Sequence, residues 1–103
     1  MRHIKDETEI DFNKSVVVKF STEWCMPCKK MDKLLEKMDK EFQDIEIYSV
    51  DAEKFNKLAQ SNKIMSVPTL VFYRQGKEVD RMVGLVMTEA LRKTFRKFEK
   101  EGE

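Results

Sequence analysis

The chain is poor in the residues that most constrain a backbone: two cysteines, two prolines and three glycines among 103 residues. Two cysteines exclude the multi-bridge framework of a secreted mini-protein. Because they are Cys25 and Cys28, a bridge between them closes too short a loop to restrict the unfolded chain much, so stability is a poor reason for the pair. The scarcity of glycine and proline excludes collagen-like and low-complexity segments, and neither a linker nor an internal repeat is present. No apolar run approaches the roughly 20 residues of a membrane-spanning helix. Lys5, Asp6, Glu7, Glu9 and Asp11 interrupt the start where a signal peptide would need its apolar core. A dominant charge is also missing. Twenty basic and 19 acidic residues leave a formal net charge of +1, so nothing steers the surface towards nucleic acid or an anionic membrane. The expectation is a single soluble domain over residues 1–103, cytoplasmic, with neither nucleic acid nor membrane among its partners.

What is present alternates between strand and helix periods. Residues 1–5 read as a short first strand, with His3 structural or incidental, and Glu7–Asn13 as a loop or single helical turn. Ser15–Ser21 is β-branched and apolar, a buried strand spoiled only by Lys19. From Met26 to Phe42 the stripe Met31, Leu34, Leu35, Met38 and Phe42 has helical spacing, with charged residues opposite. Ile45–Asp51 alternates as a strand, and Asp51 is suited to cap a short helix through Asn62 that buries Phe55, Leu58 and Ala59. Thr69–Tyr73 and Lys77–Val83 form a hairpin around Gln75–Gly76, and Gly84 ends it. Thr88 then caps a last helix with Leu91, Phe95 and Phe98 inward. The fold class expected is α/β, a central mixed sheet flanked by helices. The basic residues Arg92, Lys93, Arg96, Lys97 and Lys100 read as a solvated face of that helix, complementing its C-terminal dipole.

Trp24-Cys25-Met26-Pro27-Cys28 falls where the strand hands over to the long helix. A helix start offers unpaired N–H groups and a positive dipole end, which favour a thiolate over a thiol. Cys25 is therefore expected to be the nucleophile. Cys28, one turn on, is within reach to close a disulfide, and Pro27 fits a first turn whose N–H groups lack partners anyway. Metal binding is the competing reading, but the pair supplies only two ligands and would need others from outside. The pair itself would carry the redox chemistry, so no cofactor and no metal is expected.

The markers extend well beyond the cysteines. Val-Val-Lys-Phe precedes the site, a strand ends in Asp51, and Val67-Pro68-Thr69, Gln75-Gly76-Lys77 and Val83-Gly84 follow in order. Over roughly residues 15–98 this pattern resembles the thioredoxin family. The resemblance implies the thioredoxin fold and a protein-disulfide reductase. It implies a cis Pro68 facing the cysteines, and Trp24, Val67 and Gly84 bordering a substrate groove, with Met26 beside them as a candidate substrate contact. It implies disulfide-containing protein substrates, a thioredoxin reductase or equivalent electron donor, and a monomer. Pro27 in the second middle position resembles the reducing members rather than glutaredoxins.

The chain departs from the family pattern at several places. Met26 stands where a glycine is usual, Lys33 where a proline usually interrupts the helix, and the N-terminal region is short. Lys19 occupies the place of a usually buried aspartate, and the lysine often paired with that aspartate is replaced near Ile47. Three readings of Lys19 stand side by side: a cation that favours thiolate, a desolvated amine that accepts the Cys28 proton, or a stem whose ammonium snorkels to water. The Met26 and Lys19 departures motivate one alternative to a reductase, a non-catalytic module that docks one partner; a further alternative is a glutathione-coupled, glutaredoxin-like enzyme, which the Pro27 placement disfavours.

Overall fold

A computed structural model describes residues 1–102. Five strands and three helices follow in the order β1 (Arg2–His3), β2 (Ser15–Ser21), α1 (Met26–Glu41), β3 (Glu46–Asp51), α2 (Asn56–Ser61), β4 (Thr69–Arg74), β5 (Lys77–Val83) and α3 (Thr88–Glu101), with a single 3-10 turn at Glu7–Glu9 after β1. The strands form one sheet in the order β1-β3-β2-β4-β5. β3 runs parallel to β1 and β2, whereas β4 is antiparallel to β2 and β5. The sheet is therefore mixed, as expected, and β2 lies at its centre.

Strand alternation divides the core in two. Val17 of β2 and Leu70 and Phe72 of β4 pack with Met31, Leu35 and Met38 of α1 and with Leu91, Phe95 and Phe98 of α3. Val16, Val18 and Phe20 point the other way, into a second cluster with Val50, Val71 and Tyr73 that the α2 residues Leu58 and Ala59, together with Phe12 and Phe55, close over. Both middle strands, β2 and β4, are thus buried on both faces. Lys19 shares a face with Val17 and is 2% exposed, so its ammonium does not snorkel to water.

Several expected boundaries move. The first strand contracts to Arg2–His3, and the polar stretch after it becomes the 3-10 turn, where Asp6 and Glu9 form a reciprocal capping box. Asp51 does not cap α2. Its carboxylate accepts the N–H groups of Glu53 and Lys54 in the preceding turn, and the helix begins only at Asn56, behind Phe55. Thr88 is the first residue of α3 rather than its cap; Met87 occupies the cap position and offers no side-chain acceptor. The hairpin turn follows its expected place: Gln75 at φ +51° and Gly76 at φ +79° supply the two left-handed positions that a tight two-residue connection requires.

Candidate active site at the start of α1

Chain direction assembles the site. β2 ends at Ser21, and a short loop carries Thr22, Glu23 and Trp24 to Cys25, the N-cap residue of α1. Met26 and Pro27 are the first helical residues, where proline lacks only an N–H that had no partner. Cys25 and Cys28 are joined in a disulfide, with Cα atoms 5.2 Å apart. The Cys28 N–H donates to Cys25 Sγ at 3.1 Å, so the sulfur occupies the position of a capping acceptor. The two sulfurs differ in access. Cys25 is half-buried at the rim, and Cys28 is 2% exposed.

The loop before β4 forms the opposite wall. Val67–Pro68 is a cis peptide, and the Val67 carbonyl oxygen lies 4.0 Å from Cys25 Sγ. Pro68 is buried and Val67 half-buried. Gly84, at φ +86°, donates its N–H to the Pro68 carbonyl at 2.8 Å and so ties the end of β5 to this loop. Trp24 and Met26, 81% and 62% exposed, stand at the rim. The structure thus brings Trp24, Met26, Val67, Pro68 and Gly84 around the disulfide. Close in sequence to the Val67–Pro68 and Val83–Gly84 segments, Met65, Leu85 and Met87 are further exposed apolar side chains.

Beneath the pair the structure supplies a residue not foreseen. The Lys19 ammonium donates to an Asp32 carboxylate oxygen in an ion pair, Lys19 coming from β2 and Asp32 from α1. Both line a cavity of about 340 Å³, into which Cys28 also faces. The pairing offsets the cost of several kcal/mol that a lone buried ammonium would carry. Asp32 could have been found from its place one helical turn beyond Cys28. Within the charged run around it, it reads as one more surface residue.

The remaining candidates fall away from the site. Among the described residues no group of three or more His, Cys, Asp and Glu side chains is arranged to hold a metal ion, and no helix is long and apolar enough to cross a membrane. Arg92 is committed to a two-point ion pair with Glu41, each contact at 2.8 Å, which joins α3 to α1. The Arg92 guanidinium, mainly by hydrogen bonding, holds the Glu41 carboxyl below its usual range. Lys93, Arg96, Lys97 and Lys100 are solvated; His3 alone of these, exposed in edge strand β1, borders the cavity that Cys28 lines.

A disulfide at a helix start, with one sulfur accessible, the other enclosed and a proline loop alongside, defines a thiol–disulfide oxidoreductase. Comparison with known proteins gives the family. Residues 4–97 match the family model described as Thioredoxin, and the chain belongs to the thioredoxin family. It is 42% identical over 77 residues to the mitochondrial thioredoxin-2 of Schizosaccharomyces pombe, a match covering 75% of this chain and 58% of that protein. It is 31% identical over 100 residues to a thioredoxin of Mycoplasmoides gallisepticum, covering 93% of this chain and all of the other. Among solved structures, a thioredoxin from Nicotiana alata superposes with a TM-score of 0.85 at 28% identity, over 94% of this chain and 90% of that one.

Proposed function

We propose that the chain reduces disulfides in other proteins, with Cys25 as nucleophile and Cys28 as resolving cysteine. The observation that carries this reading is the unequal access of the two sulfurs at the N-terminus of α1. In the reduced protein the helix start favours a Cys25 thiolate. That thiolate attacks one sulfur of a substrate disulfide; a Cys25–substrate bond forms, the substrate bond breaks, and the other substrate sulfur leaves as a thiolate. Cys28 loses its proton and attacks Cys25 Sγ, which re-forms the Cys25–Cys28 bond and releases the second substrate sulfur. Two electrons have passed to the substrate.

An extended segment bearing the target disulfide would lie along Val67–Pro68, with Trp24, Met26 and Gly84 bordering it. Met26 suits varied clients because its side chain is flexible and polarizable. The oxidised pair requires an outside reductant, a thioredoxin reductase or an equivalent donor. Monomeric action in the cytoplasm completes the proposal, supported by the use of both cysteines in one redox pair, which fits a compartment that keeps thiols reduced.

The test is insulin reduction by dithiothreitol, followed as turbidity. Catalytic amounts of the protein should hasten precipitation well beyond dithiothreitol alone, and an unchanged rate would overturn the reading. The two roles separate in variants. Cys28→Ser should accumulate mixed disulfides with substrate and Cys25→Ser should not; the reverse pattern would exchange the assignments.

A further inference from the structure

The cysteine that resolves the intermediate is the one that must ionise while almost fully enclosed. Cys28 is 2% exposed, and an anion at that depth is costly unless a cation faces it. Lys19 is the one buried charged side chain among the described residues, and it opens onto the same cavity. Its ion pair with Asp32 fixes where the ammonium is held. Asp32 follows Cys28 by one helical turn, and side chains so spaced on a helix are neighbours, with Cβ atoms about 5–6 Å apart. The ammonium is therefore held at the α1 face that carries Cys28, at the cavity both residues line.

We infer that Lys19 is a positioning residue for the resolving step: its ammonium stabilises the Cys28 thiolate, and Asp32 acts only by holding that ammonium in place. The inference rests on the reductase reading of the site. In the mixed disulfide, the Cys28 thiol releases its proton to solvent through the cavity, which has room for water, and the thiolate then attacks Cys25 Sγ. The Asp32 carboxylate is already engaged by the Lys19 ammonium. Other charges border the cavity with less effect. His3, Glu23, Lys29 and Lys54 are exposed, and the Asp51 carboxylate is committed to the N–H groups of Glu53 and Lys54.

The two partners thus have opposite electrostatic effects on the thiolate, and the test uses that opposition. Reduced protein is mixed with an aromatic disulfide that releases a coloured thiol. The first equivalent reports attack by Cys25 and the second reports resolution by Cys28, each followed across pH. In Lys19→Met the second phase should slow about tenfold near neutrality, with its pH profile moved up by about one unit and the first phase less affected. Lys19→Arg should restore the second phase by restoring the charge. Adding Asp32→Asn to Lys19→Met should recover part of the lost rate, because it removes an anion left without its partner beside the thiolate. A merely structural ion pair would change the denaturation midpoint of these variants without moving the pH profile. A wild-type profile in folded Lys19→Met would overturn the inference, and so would further slowing in the double variant, which would make Asp32 a proton acceptor. Absence of the first phase in the wild type would instead overturn the reductase reading.

Discussion

At the residue scale, Gly84 shows how a backbone position serves the site. Its φ of +86° lies in the left-handed region, yet a Cβ added there would meet nothing within 4 Å. A side chain would thus be penalised by backbone strain alone, about 1–2 kcal/mol. The Gly84 N–H is bonded to the Pro68 carbonyl, so that strain would reach the loop facing Cys25. Gly84→Ala should lower stability by about that amount in chemical denaturation, and should raise KM for insulin more than it lowers kcat. Gly84, Pro68 and Val67 were legible through the resemblance to the thioredoxin family, whose markers Val67-Pro68-Thr69 and Val83-Gly84 are local in sequence. Asp32 was not. Its role depends on Lys19, a residue distant in sequence, and local pattern carries no trace of such a pairing. Lys19 itself stood out because an ammonium interrupts an apolar strand.

At the scale of elements, periodicity revealed what each segment was, and packing set where it began. The stripe on α1 buries Met31, Leu35 and Met38 as its spacing requires, because a helix of this length has one face to place. α2 was harder: its six residues are held by tertiary bonds more than by caps. Tyr73 of β4 donates its hydroxyl to the Asn62 side-chain oxygen just beyond α2, and Arg81 of β5 donates to the Asn62 carbonyl at 2.7 Å and the Lys63 carbonyl at 3.2 Å. Burial, with a smaller contribution from Glu78, pushes the Tyr73 phenol up from 10.0 to about 12. An acid whose folded value is raised is stabilising in its protonated form. That contribution is full below pH 10.0 and is lost as pH climbs towards about 12, because the unfolded chain ionises first. Tyr73→Phe should cost about 1 kcal/mol near neutrality, where Asn62 loses its donor. It should also flatten the decline of stability above pH 10.0, measured as urea midpoints across that range. Tyr48, raised mainly by burial as well, leaves a residual slope.

For the whole molecule, one ring joins the layers. Phe95 of α3 meets Phe42 beside α1 at 5.5 Å between centroids and Phe72 of β4 at 5.4 Å, edge-on. It is fully buried, so Phe95→Ala should cost about 3–5 kcal/mol, read as a fall in the denaturant midpoint. Phe12, half-buried and edge-on to Tyr73 on the other face of the sheet, should cost less when truncated to alanine. The mixed sheet flanked by helices was legible because strand and helix periods alternate from β2 to β4 and the last two strands fall in a hairpin. The register of β4 on β5, which shifts between Phe72 and Tyr73, was not legible, because it depends on cross-strand packing.

The sheet order leaves two open edges, β1 with two residues and β5 with Lys77, Glu78, Asp80 and Arg81 among its seven. A short edge and a charged edge are both poor templates for adding another strand. Clients of a disulfide reductase are often partly unfolded and offer free strands of their own. On the proposed reductase reading, such a chain would find little reward along either margin of this sheet. The two edges thus disfavour strand addition by other copies of the protein and by misfolded clients alike.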